Sequence, residues 1–304
     1  MNDGRAQQDR LRSDGQSRGE RLYRRDRLRP DGPPAGDGRR KRSARPPDLQ
    51  HLDTPHLCLL RAPSVSAPLR PMQREITVAT YNVHRWTGLN GRGASDPARA
   101  GFVLSEMAAA VIALQEVMRP HNGNDPLETL AEALGMHVTF AATRVHKRGE
   151  LGNAILSRWP IGGVSMLDLS YSRLEKRVAV AAQIPFNRGV LEVVATHLSL
   201  ADRTRHKQVR ALLGHPQLGR GPTGLLGDMN AWGRCPAARA LDAEPWMTAG
   251  IEFPMSFPSA RPVLALDRIY TSGVDLVDIS AYDSRAAQRA SDHLPAVARI
   301  RLPR

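Results

Sequence analysis

The sequence predicts an α/β domain, in the stricter sense α+β, in which two packed sheets are covered by helices. Three observations support this fold class. From Ile76 onward, short apolar runs alternate with amphipathic stretches, strand-like segments outnumber helical ones, and no segment repeats at a fixed period. The 41% hydrophobic content is enough to bury a core. The spacing of the strands alone also allows a barrel.

Nine strands are predicted from apolar and β-branched runs that end at turn-forming residues. They cover residues 76–83, 111–114, 138–142, 153–157, 178–184, 191–196, 224–226, 267–270 and 297–300. Four helices are predicted, and several of them begin at Asp, Ser or Pro. They cover residues 97–109, 126–134, 203–213 and 236–241.

Residues 1–71 differ in character from the rest of the chain. They are rich in Arg, Asp, Gly and Pro and lack a sustained apolar period, so burial cannot offset the entropy of ordering them. We predict a disordered extension followed by one domain, residues 72–304. A second hypothesis is that Met72 is the true translation start. Acidic residues interleave with basic ones, which is unlike a secretory signal, and we expect a cytoplasmic monomer.

The composition excludes several classes of protein. Of the formal charge of +13, more than half belongs to residues 1–75, which hold 17 Lys and Arg against 10 Asp and Glu. No apolar run approaches the ~20 residues that a membrane helix needs. Two cysteines cannot form a disulfide framework or a four-thiolate zinc site. The Walker phosphate loop is absent, and the Gly-x-Ser-x-Gly elbow of serine hydrolases does not occur from Ile76 onward, where the strands are predicted.

Polar residues recur at the ends of the predicted strands, where sites on rigid scaffolds tend to lie. Six fragments show this pattern: 80–84 (Thr-Tyr-Asn-Val-His), 114–116 (Leu-Gln-Glu), 196–198 (Thr-His-Leu), 227–230 (Gly-Asp-Met-Asn), 266–270 (Leu-Asp-Arg-Ile-Tyr) and 291–295 (Ser-Asp-His-Leu-Pro). Each fragment alone is a weak signal, whereas their combination and order are much stronger.

These fragments resemble the endonuclease/exonuclease/phosphatase superfamily, which includes deoxyribonuclease I, abasic-site endonucleases, bacterial sphingomyelinases and inositol polyphosphate 5-phosphatases. The resemblance extends from Ile76 to about Leu302 and is strongest to the short bacterial stand-alone members. It implies a four-layered α/β sandwich of two mainly antiparallel sheets, with the site formed by loops at one edge. It also implies divalent-metal-dependent hydrolysis of a phosphate ester.

Such hydrolysis needs a hard cation, and carboxylates are its natural ligands. Glu116 is the first candidate, because a charge that closes the apolar run 111–114 must face an open mouth and not the core. The alternative is a solvent-facing strand end. The resemblance adds Asn82 and Asp292 to the ligands of Mg²⁺, with Mn²⁺ as a second possible metal.

Asp228 and Asn230 straddle a turn. The resemblance implies that Asp228 orients or deprotonates the attacking water and that Asn230 holds the phosphate. An Asx-type turn, which the same residues form in many proteins, is the structural alternative.

His197 and His293 are the candidates for acid/base or phosphate-contacting groups, since imidazole can serve both purposes near neutral pH. Asp267 is expected to fix the tautomer of His293, or else to pair with Arg268. His84 departs from the family pattern, because several family nucleases carry an acidic residue there. This departure puts a simple transfer of abasic-site nuclease activity in doubt.

Arg177 begins a strand at about the place where a family arginine contacts the scissile phosphate, a task that suits a guanidinium. The chain has many arginines, so a solvated surface residue is the alternative. Asn153 and Ser256 are further candidates for lining the same mouth.

The sequence thus predicts a metal-dependent phosphoric ester hydrolase, most simply a phosphodiesterase that acts on DNA or RNA. The basic segment 144–148, which contains Arg144, His146, Lys147 and Arg148, could follow a nucleic acid backbone. A lipid or small-molecule phosphoester is the alternative, and 167–171 is the one segment that could form an exposed apolar loop. A catalytically inactive binding protein on the same scaffold is the remote alternative.

Overall fold

A computed structural model of the chain describes residues 74–171, 175–186, 189–215, 220–243 and 251–303. The predicted disordered extension, residues 1–71, and the alternative start at Met72 lie outside these residues. Among the helices of the described part, none is long and apolar enough to span a membrane.

The described strands form two sheets. The first contains β1 (Glu75–Asn82), β2 (Val111–Pro120), β3 (His137–His146), β4 (Gly149–Ser157), β10 (Asp275–Ala281) and β11 (Ala296–Arg301), in the spatial order β10-β11-β1-β2-β4-β3. The second contains β5 (Val164–Asp168), β6 (Val178–Phe186), β7 (Gly189–His197), β8 (Thr223–Asp228) and β9 (Asp267–Ser272), in chain order.

Each sheet has one parallel pair at its centre. In the first sheet β1 runs parallel to β2, and in the second β7 runs parallel to β8, while the other neighbours are antiparallel. The link within each parallel pair contains a helix, as a parallel connection requires. The two sheets are therefore mainly antiparallel, as predicted.

Helices cover the outer face of each sheet. They are α1 (Pro97–Met107), α2 (Pro126–Leu134), α3 (Asp202–Leu213), α4 (Pro236–Ala243) and the short α5 (Ala287–Ala290). The helix α2 shows clear end signals: Asp125 accepts a hydrogen bond from the Leu127 N–H, and Gly135 ends the helix with a φ of 62°.

Three apolar clusters separate the layers. One lies between the sheets and includes Val78 and Ile155 from the first and Val193 and Leu226 from the second. Another joins the first sheet to α1, α2 and α5, and a third joins the second sheet to α3 and α4. The result is helix, sheet, sheet and helix, which confirms the four-layered sandwich and rules out a barrel.

All nine predicted strands and all four predicted helices are present, most with shifted ends, and α2 has the predicted ends. The predictions missed β5 and β10, both of which show alternating, largely exposed side chains and so lack a strong apolar signal. The exposed apolar loop expected at 167–171 is wrong, because Leu167 and Asp168 belong to β5 and Leu169 is buried. The basic segment 144–148 is the end of β3 and the turn into β4.

Candidate active site

The carboxyl ends of the parallel strands carry several of the candidate residues. Asn82 ends β1, His197 ends β7 and Asp228 ends β8. The register places His197 beside Asp228, and Asp228 beside Asp267 at the start of β9. Parallel neighbours end at the same edge of a sheet, and sites in α/β proteins commonly form there. Side chains from both sheets therefore meet at one edge.

Glu116 reaches this edge through an irregularity inside β2. The prediction that the strand ends at Leu114 is wrong, because β2 continues to Pro120. The pairing with β4 shifts register between Leu114 and Val117, and Glu116 has a left-handed backbone with a φ of 54°. Such a bulge redirects a side chain without ending the strand. Glu116 thus stands at the site as a partly buried carboxylate.

A tight turn after β8 holds Asp228 and Asn230. A Cβ on Gly227 would lie 2.0 Å from the carbonyl oxygen of Thr196, so only glycine fits there. Asp228 Oδ1 accepts a hydrogen bond from the Asn230 N–H at 3.0 Å, and Asn230 Nδ2 donates to the Leu198 carbonyl at 3.0 Å. The Asx-type turn is therefore present, and it uses one of the two carboxylate oxygens.

The other oxygen of Asp228 lies at the centre of the site. Asp228 Oδ2 is 3.2 Å from Asn82 Nδ2, 3.3 Å from His197 Nε2 and 3.7 Å from His293 Nε2. The side chain is buried, so these groups take the place of water around the charge. The contact between Asn82 of β1 and Asp228 of β8 therefore joins the first sheet to the second.

His293 is fixed by a second carboxylate. Its Nδ1 lies 2.7 Å from Asp267 Oδ2, which also accepts a hydrogen bond of 2.6 Å from the Ser256 hydroxyl. Burial alone would lower the pKa of His293, but the charges of Asp267 and Asp228 outweigh it and raise the pKa to about 10. Arg268 donates instead to carbonyl oxygens, including that of Ala231, so the structure favours the expected Asp267–His293 pair.

His197 has the opposite electrostatic environment. Burial, aided by the positive charge of Arg177, lowers its pKa to about 3, although Asp228 acts in the other direction. The ring is therefore neutral near pH 7. Since Asp228 can only accept, the Nε2 of His197 carries the proton that faces it. This makes His197 a hydrogen-bond donor more than a proton donor.

Asn82, Glu116 and Asp292, the candidate metal ligands, lie together on the first-sheet side of the site. Asn82 Nδ2 is 3.4 Å from Glu116 Oε1, and Ser291 Oγ donates to the Asn82 carbonyl at 2.6 Å while lying 3.3 Å from Asp292 Oδ1. Burial raises the pKa of Asp292, and the charge of Glu116 adds to this effect. Two partly buried carboxylates that repel each other fit a hard divalent cation.

The amide of Asn82 is oriented away from that task. Its nitrogen faces Glu116 and Asp228, whereas its oxygen accepts a hydrogen bond of 3.0 Å from the His84 N–H. As placed, Asn82 orients the two carboxylates. It would become a ligand only with its amide reversed.

A second group of metal-binding atoms belongs to Asp228, Asp267 and His293, whose nearest ligand atoms lie within 4.8 Å of one another. Both ring nitrogens of His293 already face carboxylates, and the ring carries a proton on each at neutral pH. A cation here would have to displace one of those protons. The carboxylates of Glu116 and Asp292 have no such proton to displace.

Beside Glu116 and His197 lies a polar cavity of about 150 Å³, also lined by Arg144, Asn153 and Lys176. Arg177 completes its wall. The Nη2 of Arg177 donates to Glu175 Oε1 at 2.9 Å, and within the described residues its buried Nε has no partner. An anion in the cavity would meet a guanidinium whose position is already fixed.

The sequence predictions missed three residues that shape the site. Glu175 positions Arg177 and also accepts a hydrogen bond from Ser199, Ser291 tethers Asp292, and Arg85 faces Glu116. The spacing of Glu175 and Arg177, two apart in an extended segment, is the one sequence signal that could have revealed such a pair. Of the lower-ranked candidates, Asn153 lines the cavity and Ser256 supports Asp267.

Comparison with known proteins identifies the family of the chain. The model of the Endonuclease/Exonuclease/phosphatase family matches residues 79–293. The uncharacterized protein YbhP of Escherichia coli K12 is 29% identical over 273 residues, which cover 77% of this chain and all of that protein.

Solved structures resemble the fold as well. The endonuclease/exonuclease/phosphatase from Beutenbergia cavernae DSM 12333 is 26% identical, with a TM-score of 0.62, and covers 76% of this chain and 72% of its own. TDP2 of D. rerio, solved with a single-strand DNA product, is 15% identical with a TM-score of 0.59, over 75% of this chain and 99% of its own. The chain therefore belongs to the endonuclease/exonuclease/phosphatase family, and this membership supports a phosphoester hydrolase.

Proposed function

We propose that the chain is a divalent-metal-dependent phosphodiesterase whose favoured substrate is nucleic acid. One observation carries the proposal: Asp228 Oδ2 faces two buried histidines and Asn82, Asn82 also faces Glu116, and His197 lines a cavity together with Arg177. Phosphoryl transfer needs positioned charge on both sides of the reacting phosphorus, and this arrangement supplies it.

Glu116 and Asp292 would hold the cation, which we propose to be Mg²⁺, with Mn²⁺ as an alternative. When bound, such a cation neutralises charge on the phosphate and polarises its oxygens. Asn82 keeps Glu116 and Asp228 in place. The remaining steps rest on side chains of this chain.

Asp228 is the group that orients the attacking water. Three donors surround its Oδ2 and hold the carboxylate in position to accept the water's proton as the water oxygen bonds to phosphorus. Its contact with His293, the longest of the three, is the one that an incoming water can replace. Asn230 holds the phosphate from the other side of the turn.

His197 and His293 differ in role because they differ in charge. His293, kept protonated by Asp267, stabilises negative charge on the phosphoryl oxygens, whereas neutral His197 donates a hydrogen bond. Arg177 binds the same phosphate from the cavity wall, with Glu175 holding the guanidinium in place.

The preference for nucleic acid rests on a basic strip that leads away from the cavity. Arg144 lines the cavity, and His146, Lys147 and Arg148 continue to the turn between β3 and β4. Cations spaced along a hairpin suit a repeating phosphate backbone. The lipid alternative loses its best support, since the segment 167–171 is not an apolar loop.

The test is nicking of supercoiled plasmid by the full chain with Mg²⁺. We expect nicking that EDTA and Asp228→Asn both abolish, and that Asp275→Asn, a control at an exposed carboxylate on β10, leaves intact. Turnover of bis(p-nitrophenyl) phosphate with the same dependence but no nicking would keep the phosphodiesterase and reject nucleic acid. Turnover that survives Asp228→Asn would overturn the proposed site.

A further inference from the structure

The turn after β1 has an unfavourable backbone. His84, Arg85 and Trp86 have φ values of 46°, 56° and 63°, a left-handed conformation that residues with a Cβ rarely adopt in succession. The core holds it there: Trp86 is buried, and its Nε1 donates to the Met118 carbonyl of β2 at 2.8 Å. Strain maintained in this way commonly serves to place side chains.

The first side chain so placed is that of His84. Its Nδ1 is 3.2 Å from Asp292 Oδ1 and 3.1 Å from the Gly88 carbonyl, while its Nε2 is 3.0 Å from Arg85 Nη2. A guanidinium can only donate, so Nε2 accepts and Nδ1 carries the proton. A Cβ on Gly91 would lie 2.6 Å from ring atom Cε1, so glycine makes room for the ring. His84 thereby fixes one end of the Arg85 guanidinium.

The second side chain is that of Arg85 itself. Its Nε lies 3.6 Å from Glu116 Oε2, and its side chain is 43% exposed. The strained turn therefore places the positive charge of Arg85 beside the carboxylate of Glu116. In the proposed function, this carboxylate binds the cation. The exposure also leaves the guanidinium a short path into solvent.

We propose that Arg85 competes with the divalent cation for Glu116 and so lowers the cation affinity of the site. This inference rests on the proposed function. A cation that binds Glu116 replaces the guanidinium at the carboxylate and is repelled by it until the arginine moves away. Arg85 thus shifts occupancy of the site to higher cation concentration, and it stabilises the carboxylates when no cation is bound.

The test measures Mn²⁺ binding to the metal-stripped full chain by electron paramagnetic resonance of free Mn²⁺, with no substrate present. Arg85→Gln removes the charge, and Arg85→Asn removes it with a residue that accepts a left-handed backbone. Arg92→Gln, an exposed arginine seven residues later, controls for net charge. Glu116→Gln assigns the binding event to the site.

We expect both Arg85 variants to bind Mn²⁺ about 3- to 5-fold more tightly than the wild type, because they lose an exposed ion pair and a repulsive neighbour. Arg92→Gln should change the affinity less than twofold, and Glu116→Gln should abolish binding. Unchanged or weaker binding in both Arg85 variants, or equal tightening in Arg92→Gln, overturns the inference alone. Absence of Mn²⁺ binding in every protein, or binding that survives Glu116→Gln, overturns the proposed metal site as well.

Discussion

Asp267 Oδ2 lies 2.7 Å from His293 Nδ1 in a region where neither side chain has appreciable contact with solvent. A buried imidazole would ordinarily lose its proton. Here the adjacent carboxylate reverses that preference, so the ring keeps a proton on both nitrogens, and its Nε2–H faces Asp228.

Asp267→Asn should reduce turnover by about 10²- to 10³-fold, the cost of losing one preorganised group that stabilises charge in the transition state. The amide preserves the shape but not the charge, and the pKa of His293 should fall. Steady-state kinetics at several pH values tests this, because the variant should recover activity as the pH is lowered. A rate that is low and flat with pH would contradict the role.

Ser256→Ala should have a milder effect. It removes the hydroxyl that donates to Asp267 at 2.6 Å, and the net loss of such a bond costs about 1–2 kcal/mol of unfolding free energy. Chemical denaturation measures the loss. Turnover should stay well above that of Asp267→Asn, and an equal loss in both variants would place Ser256 in the chemistry itself.

Arg177→Lys should behave almost like Arg177→Gln, because a single ammonium cannot reproduce the fork that Glu175 positions. Both should weaken substrate binding by about 10- to 100-fold, as expected for a hydrogen bond to a charged group. The KM for bis(p-nitrophenyl) phosphate reports this. Arg210→Gln, on the exposed side of α3, is the matched control and should be silent.

Gly227→Ala should destabilise the fold by roughly 2–4 kcal/mol, because the new Cβ would collide with the Thr196 backbone between the parallel strands β7 and β8. Urea denaturation gives the value. Gly221→Ala serves as the control, since a Cβ there meets nothing within 4 Å. Similar stability of the two variants would show that β7 and β8 can move apart with little loss of unfolding free energy.

The metal-free protein should show the two histidines in opposite protonation states. The pKa of His197 is about 3 and that of His293 about 10, so ring ¹⁵N spectra between pH 5 and 8 should show one neutral and one doubly protonated ring. Titration of either ring near the ordinary value of 6.5 would refute the electrostatic assignment.

The two pKa shifts make the free energy of unfolding depend on pH in opposite directions. The contribution of His197 is present above pH 6.5 and is lost as the pH falls toward 3, because the unfolded chain then binds the proton that the buried ring refuses. The contribution of His293 is present below pH 6.5 and is lost as the pH rises toward 10. His293→Gln should therefore remove part of the alkaline loss of stability.

The strands and helices with apolar periodicity could be predicted from the sequence, and so could the polar candidate residues at the ends of the buried strands. Asn82, His197 and Asp228 were predictable because each polar residue directly follows a buried strand, where periodicity cannot explain it. The edge strands β5 and β10 were not predictable in this way. Their side chains alternate between partial and full exposure, so little apolar signal distinguishes them from loops.

The pattern of apolar and polar residues could not predict the two irregularities of the backbone. The bulge at Glu116 and the left-handed turn at Arg85 are held by tertiary contacts, such as that of Trp86 with Met118, which no local propensity encodes. The ion pair between Arg85 and Glu116 joins residues 31 positions apart and depends on both irregularities. The sequence indicated Glu116 as a candidate metal ligand but gave no sign of the arginine that faces it.

The position of β11 in the first sheet has a consequence for how the protein folds. This strand follows every other described strand in the chain, yet it inserts between β10 and β1 and directly follows the segment that carries Asp292 and His293. All strands of the second sheet precede β10 in the chain, whereas the edge that carries Asn82 also needs the segment between β10 and β11. Pairing of β11 with β1 joins segments more than 200 residues apart in the chain and brings the segment of Asp292 and His293 to Asn82, so the candidate site is complete only after this long-range step of folding.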